Sequence, residues 1–338
     1  MATTTLEVRH DTVYRYETPV SLAQHLAHLK PLDDGAQALL THTLVVDPAP
    51  AWRRDGVDVF GNAQTHFSVT EPHHTLRVRS ASMVRAAARF GGLRAESGPA
   101  WETLAARLRY TAPPAAGALP PAQPLFEPAA EFVPPSPYVP RLPELRAWAL
   151  PSFPPGRTVA AGALDLMRRL HAEFAYDKAS THVETPLAQV LAQRRGVCQD
   201  FAHLLIGGLR ILGLPARYVS GYLLTEPAAA GGASLAAPVG ADASHAWVQV
   251  WCPGTEGVPA QARSSGWLDL DPTNDSVPGA GHVQLAVGRD YGDVAPLRGV
   301  IRGGGRHTLA VAVATRVLDD TADAGQAAAA AGAGTVAR

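Results

Sequence analysis

Cys198, His245 and Asp271 are the residue types from which a thiol acyl-transfer site is built, met in the order nucleophile, base, carboxylate. Cys198 follows a glycine turn and opens a helical run. Unpaired backbone N–H groups and the positive end of the helix dipole there favour a thiolate. The same N–H groups would stabilise an oxyanion on a substrate carbonyl. The competing reading of a lone cysteine at that place is a small apolar residue starting a core helix. His245 opens an alternating run in which Trp247, Gln249 and Trp251 share its face. In a second run Trp267, Asp269 and Asp271 share one face. If the two runs pair antiparallel with Trp251 opposite Trp267, Asp271 lies diagonal to His245, roughly 7–8 Å away between backbones, which side chains can bridge. Asp269 then falls opposite Gln249, one pair further off, so Asp271 is the better orienting carboxylate. In such a constellation His245 takes the Cys198 proton and returns it to the leaving amine, while Asp271 fixes the tautomer and stabilises the imidazolium. The chain's 13 histidines give this pattern competitors.

Other residues carry weaker chemistry. Asp200 in the first turn of the Cys198 helix either binds a substrate amine or complements the helix dipole, and the dipole is favoured. Tyr176 is a second oxyanion donor or an ordinary half-buried tyrosine. Trp247 and Trp267 are expected to wall the site and keep it dry. His203, five residues after Cys198, is off its face and reads as structural. His73-His74 is adjacent rather than metal-spaced and Cys252 has no ligand partners in sequence, so a zinc site is not expected. No glycine-rich phosphate loop with a lysine is present.

These residues need elements to hold them. Residues 1–92 are β-rich: Thr12–Tyr16, Thr41–Asp47, Val57–Phe60, Gln64–Val69 and Thr75–Val84 are strand-like, with Gly61-Asn62 as a hairpin turn. They suggest a small antiparallel sandwich or barrel. Residues 93–155 form a connector. Fourteen of the 29 prolines fall between Pro113 and Pro155, where they forbid helix interiors and central strands. Short helices are predicted on either side of the densest part, at Trp101–Arg109 and Leu142–Leu150. Helical spacing then covers Arg157–Phe174. Thr185-Pro186 caps a second helix, Leu187–Gln193, that stops at Gly196. The Cys198 helix ends at Gly213-Leu214-Pro215. Arg217–Leu224 alternates as a strand, Ala228–Ser244 is a lid or plain disorder, and His307–Val317 is one more strand within a C-terminal piece, 301–318. Residues 319–338 form an Ala/Gly tail with too few large apolar residues to fold.

The composition sets outer bounds. A chain of 338 residues with 46 % hydrophobic residues can bury a substantial core. Its 29 basic and 30 acidic side chains leave a net charge of −1, which argues against nucleic acid or an anionic membrane as the main partner. No apolar run reaches the ~18 residues of a membrane helix. Two cysteines exclude a disulfide framework, and Met1–His10 lacks a signal pattern, so a reducing cytoplasm is the expected setting.

Four blocks carry a resemblance. Arg195–His203 (RGVCQDFAH), Leu209–Tyr222 (LRILGLPARYVSGY), Ser244–Trp251 (SHAWVQVW) and Gly266–Asn274 (GWLDLDPTN) resemble the bacterial transglutaminase-like superfamily over roughly residues 155–300. Residues 1–90 resemble the β region that precedes this domain in bacterial members, and Gly288–Val300 (GRDYGDVAPLRGV) resembles the segment that follows it. The resemblance implies an α+β, papain-like fold over residues 156–300, with the nucleophile at a helix N-terminus packed on an antiparallel sheet, preceded by a small all-β domain. It implies no cofactor, and it matches Cys198, His245 and Asp271 to nucleophile, base and orienting acid. The connection Cys252–Ser265 and the loop Ala228–Ala243 are longer than the family leads one to expect. No calcium-loop pattern is present, so calcium activation is not carried over. The expected activity is acyl transfer on a peptide or protein amide, with hydrolysis as a peptidase or amidase favoured. The alternatives are γ-glutamyl transfer to an amine and a peptide-binding scaffold without catalysis. A peptide-like substrate is expected in a cleft between the domains.

Overall fold

The structure is a computed structural model that describes residues 3–109, 127–224, 244–260 and 265–318. Residues 110–126 of the proline-rich connector, residues 225–243 of the loop before Ser244, residues 261–264 of the Cys252–Ser265 connection and the Ala/Gly tail lie outside the described residues.

The N-terminal region is one seven-stranded sheet organised on a single long strand, β1 (Thr3–Ala27). It is joined by β2 (Gln37–Asp47), β3 (Trp52–Val57), β4 (Ala63–Val69) and β5 (His73–Ala87), in the order β2-β5-β1-β4-β3. The register on β5 shifts between Arg15 and Val20, so the two halves of β1 have different neighbours. Only Thr12–Tyr16 reads as a strand in the sequence, because the polar run Glu17–Pro19 interrupts the apolar alternation there. The run Val57–Phe60 is corrected: β3 ends at Val57, and Asp58 turns the chain. Its carboxylate accepts the N–H groups of Phe60 (2.9 Å) and Asn62 (2.8 Å), which holds Gly61-Asn62 in the hairpin turn.

The helical part opens with α1 (Trp101–Arg107), a short 3-10 helix at Pro128–Phe132, and α2 (Pro143–Ala149). Next comes α3 (Val159–Glu173), capped by Thr158, whose side chain accepts from Ala161 N–H. A short parallel pair, β6 (Ala175–Tyr176) and β7 (Arg195–Gly196), brackets α4 (Leu187–Gln193). Two details of α4 differ from expectation. Pro186 itself is the N-cap, while Thr185 accepts from His182 N–H at 2.8 Å. The helix stops at Arg194, in the left-handed region at φ 51°, before Gly196 is reached.

Helix α5 (Cys198–Ile211) is buried along most of its length and packs on α2, α3 and α4 on one side and on the sheet on the other. An apolar helix enclosed in this way marks the centre of a domain. It ends as its residues require: Gly213 adopts φ 85°, and the N–H groups of Gly213 and Leu214 return to the carbonyls of Arg210 and Leu209. The sheet beneath it contains β8 (Ala216–Leu223), β9 (His245–Trp251), β10 (Trp267–Leu270) and β11 (His282–Gly288), in the order β10-β9-β8-β11. Trp251 lies opposite Trp267, the register assumed from the sequence. The chain finishes with α6 (Tyr291–Val294), β12 (Leu297–Gly303) and β13 (His307–Leu318).

The last two strands return to the N-terminal sheet. β13 pairs with Thr5–Tyr16 and β12 with Val20–Ala27, so both ends of the chain share β1. The two regions also share a core. Leu6, Val8, Val84 and Ala86 belong to the same apolar cluster as Leu204, Leu205, Leu209 and Val248. A further seam closes the outer edge of β11. The Gln37 amide donates to Gln284 O (2.9 Å) and accepts from Gln284 N–H (2.8 Å), and Asn62 does the same to Val287 at 2.7 and 2.8 Å. Two side-chain amides thus take the place of a neighbouring strand at an edge that would otherwise bury unpaired backbone.

Asn62 is fully buried. Asn62→Ala therefore leaves Val287 N–H and C=O without partners and is expected to cost about 1–3 kcal/mol of unfolding free energy. Urea unfolding of both proteins measures the difference, and equal midpoints would show that the seam contributes nothing.

Candidate active site

Cys198 is the first residue of α5 and is half-buried. The turn before it is shaped by a close approach: a Cβ on Gly196 would stand 2.7 Å from an oxygen of Asp200. That carboxylate accepts Val197 N–H at 2.9 Å and the Thr181 hydroxyl at 2.7 Å. Asp200 therefore closes the N-terminal turn of α5 and is itself buried. Burial outweighs these two hydrogen bonds and raises its pKa. Its carboxyl is thereby less apt to oppose a negative sulfur at Cys198.

His245 and Asp271 meet at 2.9 Å, Nε2 to Oδ2, with both side chains wholly inaccessible to solvent. β10 pairs with β9 as far as Leu270 opposite Val248, and Asp271 is the next residue. Burial by itself pushes the imidazole down, but the charge and hydrogen bond of Asp271, helped by Cys198, outweigh it and raise the pKa of His245 to about 10. Burial likewise pushes Asp271 up, and the two histidines beside it, His245 above all, reverse this and hold it well below the usual carboxylate range. With Nε2 committed to Asp271, the nitrogen left for Cys198 is Nδ1, which is buried and makes no close hydrogen bond. Tyr218 is buried close enough to Cys198 for a thiolate there to add to the effect of burial, and its phenol is held well above its ordinary pKa. Its ring packs against His203 and Tyr291.

The remaining residues divide. Trp247 stacks on His245, with ring centres 6.3 Å apart, and is almost fully buried. Trp267 is not brought to the triad. It stands at the opposite end of the strand pair, under the Arg217 guanidinium (4.1 Å) and against Phe132 (5.4 Å). Sharing a face places residues on one side of a sheet, but it does not bring together the two ends of a strand. Tyr176 stands beside Gly196 in the β6–β7 pair, with its ring on Phe201. His203 accepts Tyr291 N–H at 3.2 Å, and burial lowers its pKa to about 3, so it is a neutral structural acceptor. Cys252 is buried, which pushes its thiol up to about 12.

Two participants escaped the sequence reading. Asn274 donates its side-chain amide to Asp271 Oδ2 at 2.8 Å, and His282 reaches the same oxygen with Nε2 at 3.2 Å. Asn274 lies inside the GWLDLDPTN block. His282 opens an alternating run, His282–Gly288, much as His245 opens its own, and that was the available signal. His245, Asp271 and His282 also place three metal-type ligand atoms within 4.8 Å of one another. Because Asp271 Oδ2 already takes three nitrogen donors, the cluster is a saturated hydrogen-bond site rather than an open ligand set. Cavities of about 780 and 290 Å3 are present, and neither is lined by Cys198, His245 or Asp271.

With this geometry in hand, comparison with other proteins is informative. Residues 6–85 match the bacterial transglutaminase-like N-terminal region, and residues 153–272 match the transglutaminase-like superfamily. The chain belongs to the transglutaminase-like superfamily. An uncharacterized protein of Mycobacterium tuberculosis is 39 % identical over 298 residues, which is 87 % of this chain and 86 % of that one. One of Mycobacterium leprae is 30 % identical over 308 residues, 91 % of this chain and 97 % of its own. The fold of this transglutaminase-like chain is shared with a Cytophaga hutchinsonii protein described as a candidate cysteine protease. The TM-score is 0.66 at 21 % identity, over 94 % of this chain and 92 % of the other. Among the described residues no helix is long and apolar enough to cross a membrane.

The raised pKa of His245 has a thermodynamic signature. Its ordinary value is 6.5 and its folded value about 10. The pair's stabilisation is therefore complete below about pH 6.5 and is lost as pH rises through about 10. The stability advantage of the wild type over His245→Gln, followed by urea unfolding, is expected to narrow across that window. A difference that stays constant would mean that the pKa is not raised.

Proposed function

We propose that the protein is a cysteine-dependent amide hydrolase, a peptidase or amidase that works through a thioester acyl-enzyme. The observation that carries this reading is His245, held by a buried carboxylate on Nε2 and close enough to Cys198 for the thiol to help raise its pKa. In the proposed sequence Cys198 Sγ attacks the amide carbon as its proton passes to His245 Nδ1. The oxyanion is held by backbone N–H groups at the start of α5. Collapse breaks the C–N bond as Nδ1 gives its proton to the departing amine, leaving a thioester. A water then loses a proton to Nδ1 and attacks; the C–S bond breaks and the proton returns to sulfur. Asp271 keeps the imidazole oriented and stabilises its cationic form.

Water is favoured over an amine as acceptor because Cys198 is half-buried rather than enclosed. A peptide or protein amide is the substrate class this site suits.

The test supplies Gln-containing peptides together with a fluorescent primary amine and follows ammonia, cleavage and amine incorporation. Hydrolysis without incorporation is expected, falling by about 10³-fold or more in Cys198→Ala and in His245→Ala. Incorporation that outpaces hydrolysis would replace this reading with amine transfer. Alkylation at Cys198 that is no faster than at buried Cys252, and unchanged in His245→Ala, would remove the catalytic reading altogether.

A further inference from the structure

We propose that His282 is a positioning residue for the catalytic base, fixing the Asp271 carboxylate to the sheet so that it meets His245 in one orientation. The inference rests on the acyl-transfer reading above and concerns a residue that the triad does not include.

Asp271 is wholly buried and accepts five hydrogen bonds. Oδ1 takes the backbone N–H groups of Thr273 (3.0 Å) and Asn274 (3.3 Å), and Oδ2 takes Asn274 Nδ2 (2.8 Å), His245 Nε2 (2.9 Å) and His282 Nε2 (3.2 Å). The three donors from Thr273 and Asn274 belong to the turn that carries Asp271 and move with it. The ladder between β10 and β9 ends at Leu270, so strand pairing with β9 does not hold the carboxylate. Apart from His245 itself, His282 is the one donor among the described residues that comes from a different strand. It opens β11 opposite Leu223 of β8, and β11 is held on its outer edge by Gln37 and Asn62. Its ring stands edge-on against Trp247 at 5.4 Å, and Trp247 in turn stacks on His245. The two imidazoles therefore share one carboxylate oxygen and one aromatic neighbour, and the turn bearing Asp271 is tied to the sheet that bears His245. A buried carboxylate with one strand-borne anchor fewer can rotate within its turn, and the imidazolium it stabilises then loses its fixed direction toward sulfur.

The experiment measures the rate of Cys198 alkylation by iodoacetamide against pH in wild type, His282→Leu, His282→Gln and His245→Ala. Peptide mass spectrometry reads it with Cys252 as internal control, and melting curves confirm folding. Glutamine keeps an N–H donor at similar reach, whereas leucine does not. His282→Leu is expected to slow alkylation at neutral pH by about tenfold and to move its pH midpoint upward, while His282→Gln stays within about twofold of wild type. His282→Met, which fills similar space without a donor, makes the same comparison if the leucine variant does not fold. A wild-type pH profile in the donor-less variant overturns the inference, as does an equal loss in His282→Gln. If alkylation falls in His245→Ala but not in His282→Leu, this inference alone fails. If it is unchanged in His245→Ala, the acyl-transfer reading has failed first.

Discussion

A carboxylate with no access to solvent is tolerable only if its charge is matched and its lone pairs are filled. Asp271 meets both conditions, with the His245 imidazole as counter-charge and five nitrogen donors around its two oxygens. Much of the surrounding architecture follows from that demand. The turn after β10 must curl so that Thr273 and Asn274 aim their N–H groups inward. β11 must run beside β8 to bring His282 within reach. Trp247 stacks on one imidazole and meets the other edge-on. The result is an imidazole whose cationic form is favoured despite burial, which is the state a thiol nucleophile needs beside it.

Cys198 stands in a different setting. Cys198 relies on the end of a buried helix, where backbone N–H groups lack intrahelical partners. The acidic residue nearest in sequence, Asp200, is turned back onto Val197 and Thr181, and burial raises its pKa. It serves the helix terminus through those two hydrogen bonds. The close approach at Gly196 makes this possible, since any side chain there would occupy the carboxylate's place.

The N-terminal sheet contributes support at a distance. β1 carries both chain ends of the fold, pairing with β5 and β13 along one half and with β4 and β12 along the other. Through Gln37 and Asn62 it also supplies the hydrogen bonds that an additional strand would have given β11. The candidate site thus rests on an edge completed by side chains from residues more than 200 positions earlier. Sequence patterning cannot register such a seam, because a single buried amide looks like any polar residue at the end of a strand or in a turn.

The glycine turn, the apolar run from Cys198 and the Gly213 stop belong to local chain chemistry, so α5 and its nucleophile position could be read directly. Alternation in His245–Trp251 and Trp267–Asp271 gives the faces but not the register; Trp251 opposite Trp267 is an assumption at the level of sequence, and the strand pairing has that register. Trp267 could not be placed the same way, because a shared face says nothing about distance along a strand. β1 was seen only in part, since Glu17–Pro19 breaks its apolar pattern while the sheet continues through it. His282 and Asn274 contribute through geometry formed when separate strands and turns converge on one oxygen. The sequence by itself therefore determined the Cys198 helix and the two strand faces, because each is set by contacts a few residues apart, and the order thiol, imidazole, carboxylate, which is the order of the chain. Only the tertiary structure decided which further donors saturate Asp271, how β11's edge is closed and where the chain's last strands pair. Those contacts join residues with no periodic relation, chosen by the requirement that buried polar groups find partners.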